Sequence, residues 1–340
     1  MHLVAAPDKF RGTSTASDAA AAMALAAEQL GWSCTQLPLA DGGEGTLDAF
    51  GGANRRAVVT GPNGVPLKAG WRMGADVAVI EMALASGLEL AGGAQRNDPM
   101  RATSRGTGEL IAEAVRSGAR RIIVGVGGSA CTDGGAGAVQ VLTDLPPLDG
   151  SVGIEVLVAV DVTTRFADAA KLFAPQKGAT PEQCALLDQR LDRLLHEHRR
   201  LRGIDIAPVE GGGAGGGLAG ALAALGARIG SGFDLIADEL RLADAIAKAD
   251  LVVTGEGKLD ESSYLGKVVG GVLVRAAAAD VAPAAVVGTI ATAPRCPTIG
   301  LVEELGVDAA LYDTEAAIAS ATRTLLSAYE SQALVGPGIQ

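Results

Sequence analysis

Residues Arg121–Leu142 read RIIVGVGGSACTDGGAGAVQVL. An apolar run, Ile122–Val126, passes into GGSACTDGG at Gly127–Gly135, and an apolar stretch with helical spacing follows. A buried strand, a glycine loop and a helix in succession are the building unit of open parallel α/β sheets. Successive backbone N–H groups in such a loop can cradle phosphate, and hydroxyls add donors. Gly127, Gly128, Ser129, Thr132 and Gly134 are therefore candidate phosphate ligands. Asp133 can hold Mg²⁺, which takes one or two carboxylates together with phosphate oxygens. The plain alternative is a flexible glycine turn.

Outward from this stretch the alternation of short apolar runs and Ala-rich amphipathic segments continues. Strands are expected at His2–Ala6, Thr35–Leu39, Ile154–Val160, Leu251–Thr254, Ala284–Val287 and Ala309–Leu311. Helices are expected at Thr15–Leu30, Thr107–Ser117, Pro181–Leu201, Leu218–Leu225, Asp234–Ala249, Val268–Ala279 and Thr314–Tyr329. Arg56–Val59 and Ala69–Met82, with turn residues Gly61–Gly64 between them, read as a more antiparallel region. The fold class is α/β with two α/β domains. Residues 1–53 and 240–340 form a discontinuous Rossmann-like domain with a mostly parallel sheet, and 54–239 form an inserted mixed α/β domain.

In open parallel sheets, ligands bind outside the carboxyl ends of the strands. Three further polar segments follow expected strands. In APDKFRGT (Ala6–Thr13), Asp8 ends a strand and the cations Lys9 and Arg11 follow. In ADGGEGT (Ala40–Thr46), Asp41 and Glu44 flank glycines that permit close backbone approach. In TGEGKLDESS (Thr254–Ser263), Glu256, Lys258 and Asp260 are read as a charged loop past a strand end. Elsewhere, PQKGATPE (Pro175–Glu182) carries Lys177 before a Thr180-Pro181 helix start, which capping alone can explain. Gly211, Gly213 and Gly216 satisfy G-x-G-x-x-G, the basis of a nicotinamide-dependent oxidoreductase alternative. The strand expected before them, Ile204–Val209, is interrupted by Pro208, so a tight packing loop is favoured.

The composition narrows the classes. A net charge of −11 gives no basic face for nucleic acid. No apolar run approaches the roughly 18 residues that span a membrane. Four cysteines, Cys34, Cys131, Cys184 and Cys296, form no C-x-x-C pair, which suits a reducing compartment rather than a zinc or disulfide framework. MHLVAAPDKF has no leader pattern, so a cytoplasmic location is expected. There is no Walker A sequence and no G-x-S-x-G elbow, and the three histidines, His2, His196 and His198, lie outside the polar loops.

In order along the chain stand APDKFRGT, LPLADGGEGT, EMALASGLEL, TSRGTGELI, VGGSACTDGGAG, PQKGATPE, GGGAGGGLAGAL and ADLVVTGEGKLD. This series resembles the bacterial glycerate kinases of the type I family, from Met1 to about Tyr329. The resemblance implies two α/β domains, one inserted in the other, with an active-site cleft between them. It implies transfer of the ATP γ-phosphoryl group to D-glycerate, giving 2-phosphoglycerate rather than 3-phosphoglycerate, with Mg²⁺. Thr164–Leu172 is shorter than the family's usual loop, Lys9 and Arg11 stand where Ser and Lys are common, and Val287–Pro294 replaces a more glycine-rich segment. On this reading Asp8, Asp41 or Asp161 takes the acceptor's proton. Lys9 and Arg11 hold the substrate carboxylate, the 127–135 loop and Lys177 hold phosphates, and Asp133 or Glu256 holds Mg²⁺. The expected partners are ATP and D-glycerate, with no nucleic acid or membrane, in a monomer or homodimer. Phosphorylation of a related hydroxy acid, or ligand sensing without turnover, are the other possibilities.

Overall fold

The computed structural model describes residues 1–335, with side chains as far as Ser331. The strands are β1 (His2–Pro7), β2 (Ser33–Gln36), β3 (Arg55–Thr60), β4 (Pro66–Met73), β5 (Val77–Glu81), β6 (Arg121–Gly125), β7 (Glu155–Val160), β8 (Arg228–Ser231), β9 (Leu251–Leu259), β10 (Ala282–Ile290) and β11 (Thr298–Gly300). The chain divides into two compact units: Met1–Asp41 with the segment from Ile236 onward, and Gly42–Leu235.

The first unit is built on a five-stranded parallel sheet in the order β11-β10-β9-β1-β2. Its inner strands β1, β9 and β10 are apolar on both faces over most of their length because helices cover both, whereas the edge strand β2 is polar and partly exposed. Val286 packs in one cluster with Leu3, Met23 and Ile318, whereas Ala285 and Val287 pack with Leu259 and Val269 in another. The helix Ala16–Gln29 buries alanines against the sheet, and Thr15 caps it by accepting from the Asp18 N–H. Small side chains allow the close packing that a chain with 3% aromatics requires.

The second unit carries a six-stranded sheet in the order β3-β4-β5-β6-β7-β8. β3, β4 and β5 pair antiparallel, joined at the first connection by a turn closed by Gly61 N–H to Val65 O, 2.8 Å. β5 through β8 pair parallel. Thr180 and Gln183 form a capping box at the start of the helix Pro181–Arg202, with Pro181 in its first turn.

Several sequence expectations give way here. β9 does not stop at Thr254. It runs to Leu259, with Glu256 opposite Val287 and Lys258 opposite Thr289, so the segment read as a charged loop is mostly strand. Ala309–Leu311 lies in the helix Val307–Tyr312, and the edge strand is Thr298–Gly300 instead. Three apolar residues cannot distinguish strand from helix. Asp234–Ala249 is two helices, Gly232–Glu239 and Leu242–Ile246, broken where Arg241 takes φ 57°. Ile204–Val209 forms no strand. The division between units falls at Asp41/Gly42 rather than near residue 53. The short helix Thr46–Ala49 belongs with the second unit because the Leu47 N–H donates to the buried Glu81 carboxylate on β5, 3.0 Å.

Candidate active site

In the first unit, β1 and β9 are neighbours, and their carboxyl ends bring Asp8 and Glu256 into one electrostatic neighbourhood. The Asp8 N–H extends the ladder to Gly255 O at 2.8 Å, and its carboxylate accepts from the Lys9 N–H at 2.7 Å. Burial pushes the Asp8 carboxyl up to about 6; the Lys9 cation opposes this, and the charge of Asp41 adds to it. Burial likewise pushes Glu256 up to about 7, opposed by the Ser263 hydroxyl and Lys267 and reinforced by Asp8 and Asp260. Glu256 Oε1 is buried with no hydrogen-bond partner among the described residues. Lys258 pairs loosely with Asp260 at 4.0 Å, and Lys267 stands at the N-cap of the helix Val268–Ala278. Arg11 is exposed on the tight turn Phe10–Ser14, whose backbone lies over Gly257.

Two carboxyls of raised pKa in one electrostatic neighbourhood, one with an orphaned oxygen, fit a divalent cation that would supply the missing counter-charge. Among the described residues no three His, Cys, Asp or Glu side chains form a complete cage. Mg²⁺ does not need one, because it keeps several waters and takes its remaining ligands from phosphate.

In the second unit the loop after β6 is fastened from beneath. Lys177 is 4% exposed and donates from Nζ to Ser129 Oγ at 2.8 Å and Cys131 O at 2.6 Å. Burial lowers its pKa, while the nearby Cys131 and Asp133 raise it. Asn97 Nδ2 donates to Ala130 O at 3.0 Å and Lys177 O at 2.9 Å, tying the same two segments together. These bonds turn the carbonyls of Ala130 and Cys131 toward Asn97 and Lys177. Gly216 backs the loop so closely that a Cβ there would stand 2.0 Å from Cys131 O. At the loop's start, a Cβ on Gly127 would stand 2.5 Å from the Gly43 Cα. The Thr132 hydroxyl is buried with no hydrogen-bond partner among the described residues.

Asp133 is 8% exposed and heavily engaged. Its Oδ2 accepts from Ser104 N (2.9 Å), Ser104 Oγ (2.8 Å), Gly137 N (3.2 Å) and, at 3.4 Å, Thr103 Oγ1, and its Oδ1 from Gly135 N (3.1 Å). The carboxylate thus joins the starts of two helices, Arg105–Arg116 and Ala136–Leu142, to the end of the glycine loop. Asp161 is exposed just past β7, at the same carboxyl edge of the sheet that bears the loop.

Of the residues singled out from sequence, the first unit therefore gathers Asp8, Lys9, Asp41 and Glu256. The second unit holds Gly127, Gly128, Ser129, Thr132, Asp133, Gly134 and Lys177 together and leaves Asp161 at the sheet edge. Asn97 escaped sequence reading because it lies in no motif. Ser104 sits inside TSRGTGELI, but only the fold brings it to Asp133.

A parallel sheet ending in paired carboxylates, and a tethered glycine loop following a second parallel strand, suit an enzyme that handles anionic, phosphate-bearing ligands. The chain belongs to the glycerate kinase family, whose model matches residues 3–144 and 142–335. It is 38% identical over 305 residues to the glycerate 2-kinase of Escherichia coli K12, covering 79% of this chain and 80% of that one. It is 36% identical over 327 residues to the glycerate kinase of Bacillus subtilis 168, covering 85% of each. Among solved structures it matches a protein from Salmonella typhimurium LT2 designated glycerate kinase 2, at TM-score 0.85 and 33% identity over 98% of this chain and 99% of that one. The chain is a kinase.

Proposed function

We propose that this kinase transfers the γ-phosphoryl group of ATP to D-glycerate, giving 2-phosphoglycerate, with Mg²⁺ as cofactor. The observation that carries this is the Asp8–Glu256 pair, two carboxyls of raised pKa beside Lys9 and Lys267. A carboxylate with a pKa near 6 is a better proton acceptor at neutral pH than an ordinary one, while still largely ionised. Asp8 is the base we favour for the acceptor hydroxyl. Glu256, with its orphaned Oε1, is the residue we favour for Mg²⁺, which supplies charge neutralisation on the transferring group. Lys9 is assigned to the substrate carboxylate, with Arg11 at the exposed turn beside it.

In the second unit the role proposed for the 127–135 loop is phosphate binding. Lys177 serves it as a positioning residue, and its buried charge lies in no ion pair among the described residues, which favours an anion at the loop. Asp133 is reassigned from metal ligand to latch, because protein donors already occupy both its oxygens. The similarity to a protein named glycerate 2-kinase supports the 2-position for the product. The four free cysteines agree with a reducing, cytoplasmic setting.

The deciding experiment is a coupled ADP-release assay with purified protein, ATP and a panel of small hydroxy acids, with and without Mg²⁺. ADP release that requires both D-glycerate and Mg²⁺ is expected, and NMR of the product identifies the phosphorylated oxygen. Equal release with and without glycerate would refute the acceptor.

A further inference from the structure

In the second unit a cavity of about 300 Å³ opens between the helix Ala136–Leu142 and the C-terminal half of the helix Pro181–Arg202. Val139, Leu194 and Leu201 form its apolar wall, and Glu197, His198 and Arg202 are its titratable groups. His198 is only 6% exposed and lines the cavity, and among the described residues its ring makes no hydrogen bond, which leaves the imidazole free to bond a molecule in the cavity. Arg199, one turn from Arg202, is paired with Asp205. Glu197 and Arg202, by contrast, enter no ion pair among the described residues, with each other or with anything else.

We propose that this cavity is a regulatory site for a small zwitterion with an aliphatic tail, an α-amino acid of the valine or leucine kind. Its carboxylate pairs with Arg202 and its ammonium with Glu197. The imidazole bonds one of its polar groups, and its tail covers Val139, Leu194 and Leu201. Charge complementarity selects this class: a bare anion would face Glu197, and a bare cation would face Arg202. Burial, then Arg202, lowers the pKa of His198, so the ring enters as a neutral donor or acceptor and leaves the pair of charges balanced. The cavity is large enough for a ligand of this size and mixes apolar wall with a few polar groups, as small-molecule sites do.

Occupancy would be felt at the glycine loop. The helix Ala136–Leu142 continues directly from that loop, and Gly134 packs so tightly that a Cβ there would stand 2.5 Å from Leu194 Cδ1. A ligand that favours one arrangement of these helices shifts the loop's population toward it. This regulatory clause rests on the loop's role in binding nucleotide phosphate; the binding itself does not.

The test is isothermal titration of the full chain with L-leucine, 4-methylpentanoate and 3-methylbutylamine, the last two each lacking one charge. L-leucine should bind once per chain, with each analogue weaker by about tenfold or more. Arg202→Met and Glu197→Gln should each weaken L-leucine by a similar factor without moving the melting temperature. If one variant fails to fold, the other decides. No binding of L-leucine at ~10 mM, equal binding of an analogue, or unchanged binding by a folded variant would each overturn the site. In the ADP-release assay, L-leucine should change the KM for ATP in the wild type but not in Glu197→Gln. An unchanged wild-type KM would overturn the regulatory role alone.

Discussion

Asp133→Asn separates two opposed roles for one carboxylate. As a latch, Asp133 receives four bonds of 2.8–3.2 Å from Ser104 N, Ser104 Oγ, Gly135 N and Gly137 N, and a longer one of 3.4 Å from Thr103 Oγ1. Asn can present its oxygen to the donors at the Oδ2 position, but its NH₂ must then face the Gly135 N–H, donor against donor. The three shorter Oδ2 bonds change from charge-assisted to neutral, from about 1.5–3 kcal/mol each to about 1 kcal/mol. Relief from burying a charge offsets part of that loss. The net destabilisation should be about 2–4 kcal/mol, and at about 2–4 °C per kcal/mol for a domain of this size the melting temperature should fall by roughly 5–15 °C. Turnover should fall as well, because the glycine loop loses its anchor to both helices. A metal ligand behaves otherwise: removing it leaves the melting temperature near that of the wild type and raises the Mg²⁺ concentration needed for activity. Thermal melts without nucleotide, paired with Mg²⁺ titrations of the ADP-release rate, read both quantities. A melting temperature within about 2 °C of wild type, with a several-fold higher Mg²⁺ requirement, would refute the latch and return Asp133 to the metal.

Glu256 sits at about 7 in the folded chain against an ordinary 4.5, so the folded state holds this proton more tightly. Its contribution to stability is complete below pH 4.5 and is lost as pH rises through about 7. Glu256→Gln should flatten that arm of the melting-temperature profile, and a wild-type arm that is already flat would contradict the buried setting. At pH 8, MgCl₂ should raise the melting temperature of the wild type more than that of Glu256→Gln. Lys177→Met removes both ammonium bonds that hold Ser129 and Cys131. It should cut kcat/KM for ATP by on the order of 10²-fold while D-glycerate binding, measured by calorimetry, stays unchanged. Wild-type kinetics would show that the loop holds itself. Gly216→Ala places a Cβ 2.0 Å from Cys131 O at φ 66°, so it should destabilise by about 2 kcal/mol or more, read by chemical denaturation.

The strand–loop–helix stretch at Arg121–Leu142, and the strand at residues 2–6, were legible because strand periodicity and glycine punctuation coincide there. Charge patterning led elsewhere. Gly255, Glu256, Gly257 and Lys258 have the composition of a loop, yet they pair residue by residue with β10, because parallel pairing to a neighbour outweighs weak local propensity. No sequence rule announces that pairing, since β10 begins more than twenty residues further on. The same blindness hid the latch: Asp133 was conspicuous as a carboxylate among glycines, but its donors, Ser104 and the N–H groups of Gly135 and Gly137, are ordinary residues until the fold points them at it.

That difference bears on mechanism. A carboxylate on a loop tip can follow its ligand, whereas one inside a ladder is fixed by the strand on either side. Glu256 is held by the pairing of β9 with β10 on one flank and with β1 through Gly255 on the other. Asp8, one residue past β1, is tied to Gly255 O as well. The separation of the two carboxyls is therefore set by sheet geometry rather than by a loop that must order itself. A site fixed in this way offers its oxygens to a cation with little reorganisation, and that preorganisation is what a phosphoryl transfer dominated by electrostatics requires. Lengthening the chain by one residue between Pro7 and Asp8 should consequently cut kcat by about 10²-fold or more, because it displaces the base, while leaving the β1–β9 ladder and the Mg²⁺-dependent stabilisation through Glu256 intact. Retained turnover in that insertion variant would mean that Asp8 finds the acceptor by loop motion and that the sheet does not place it.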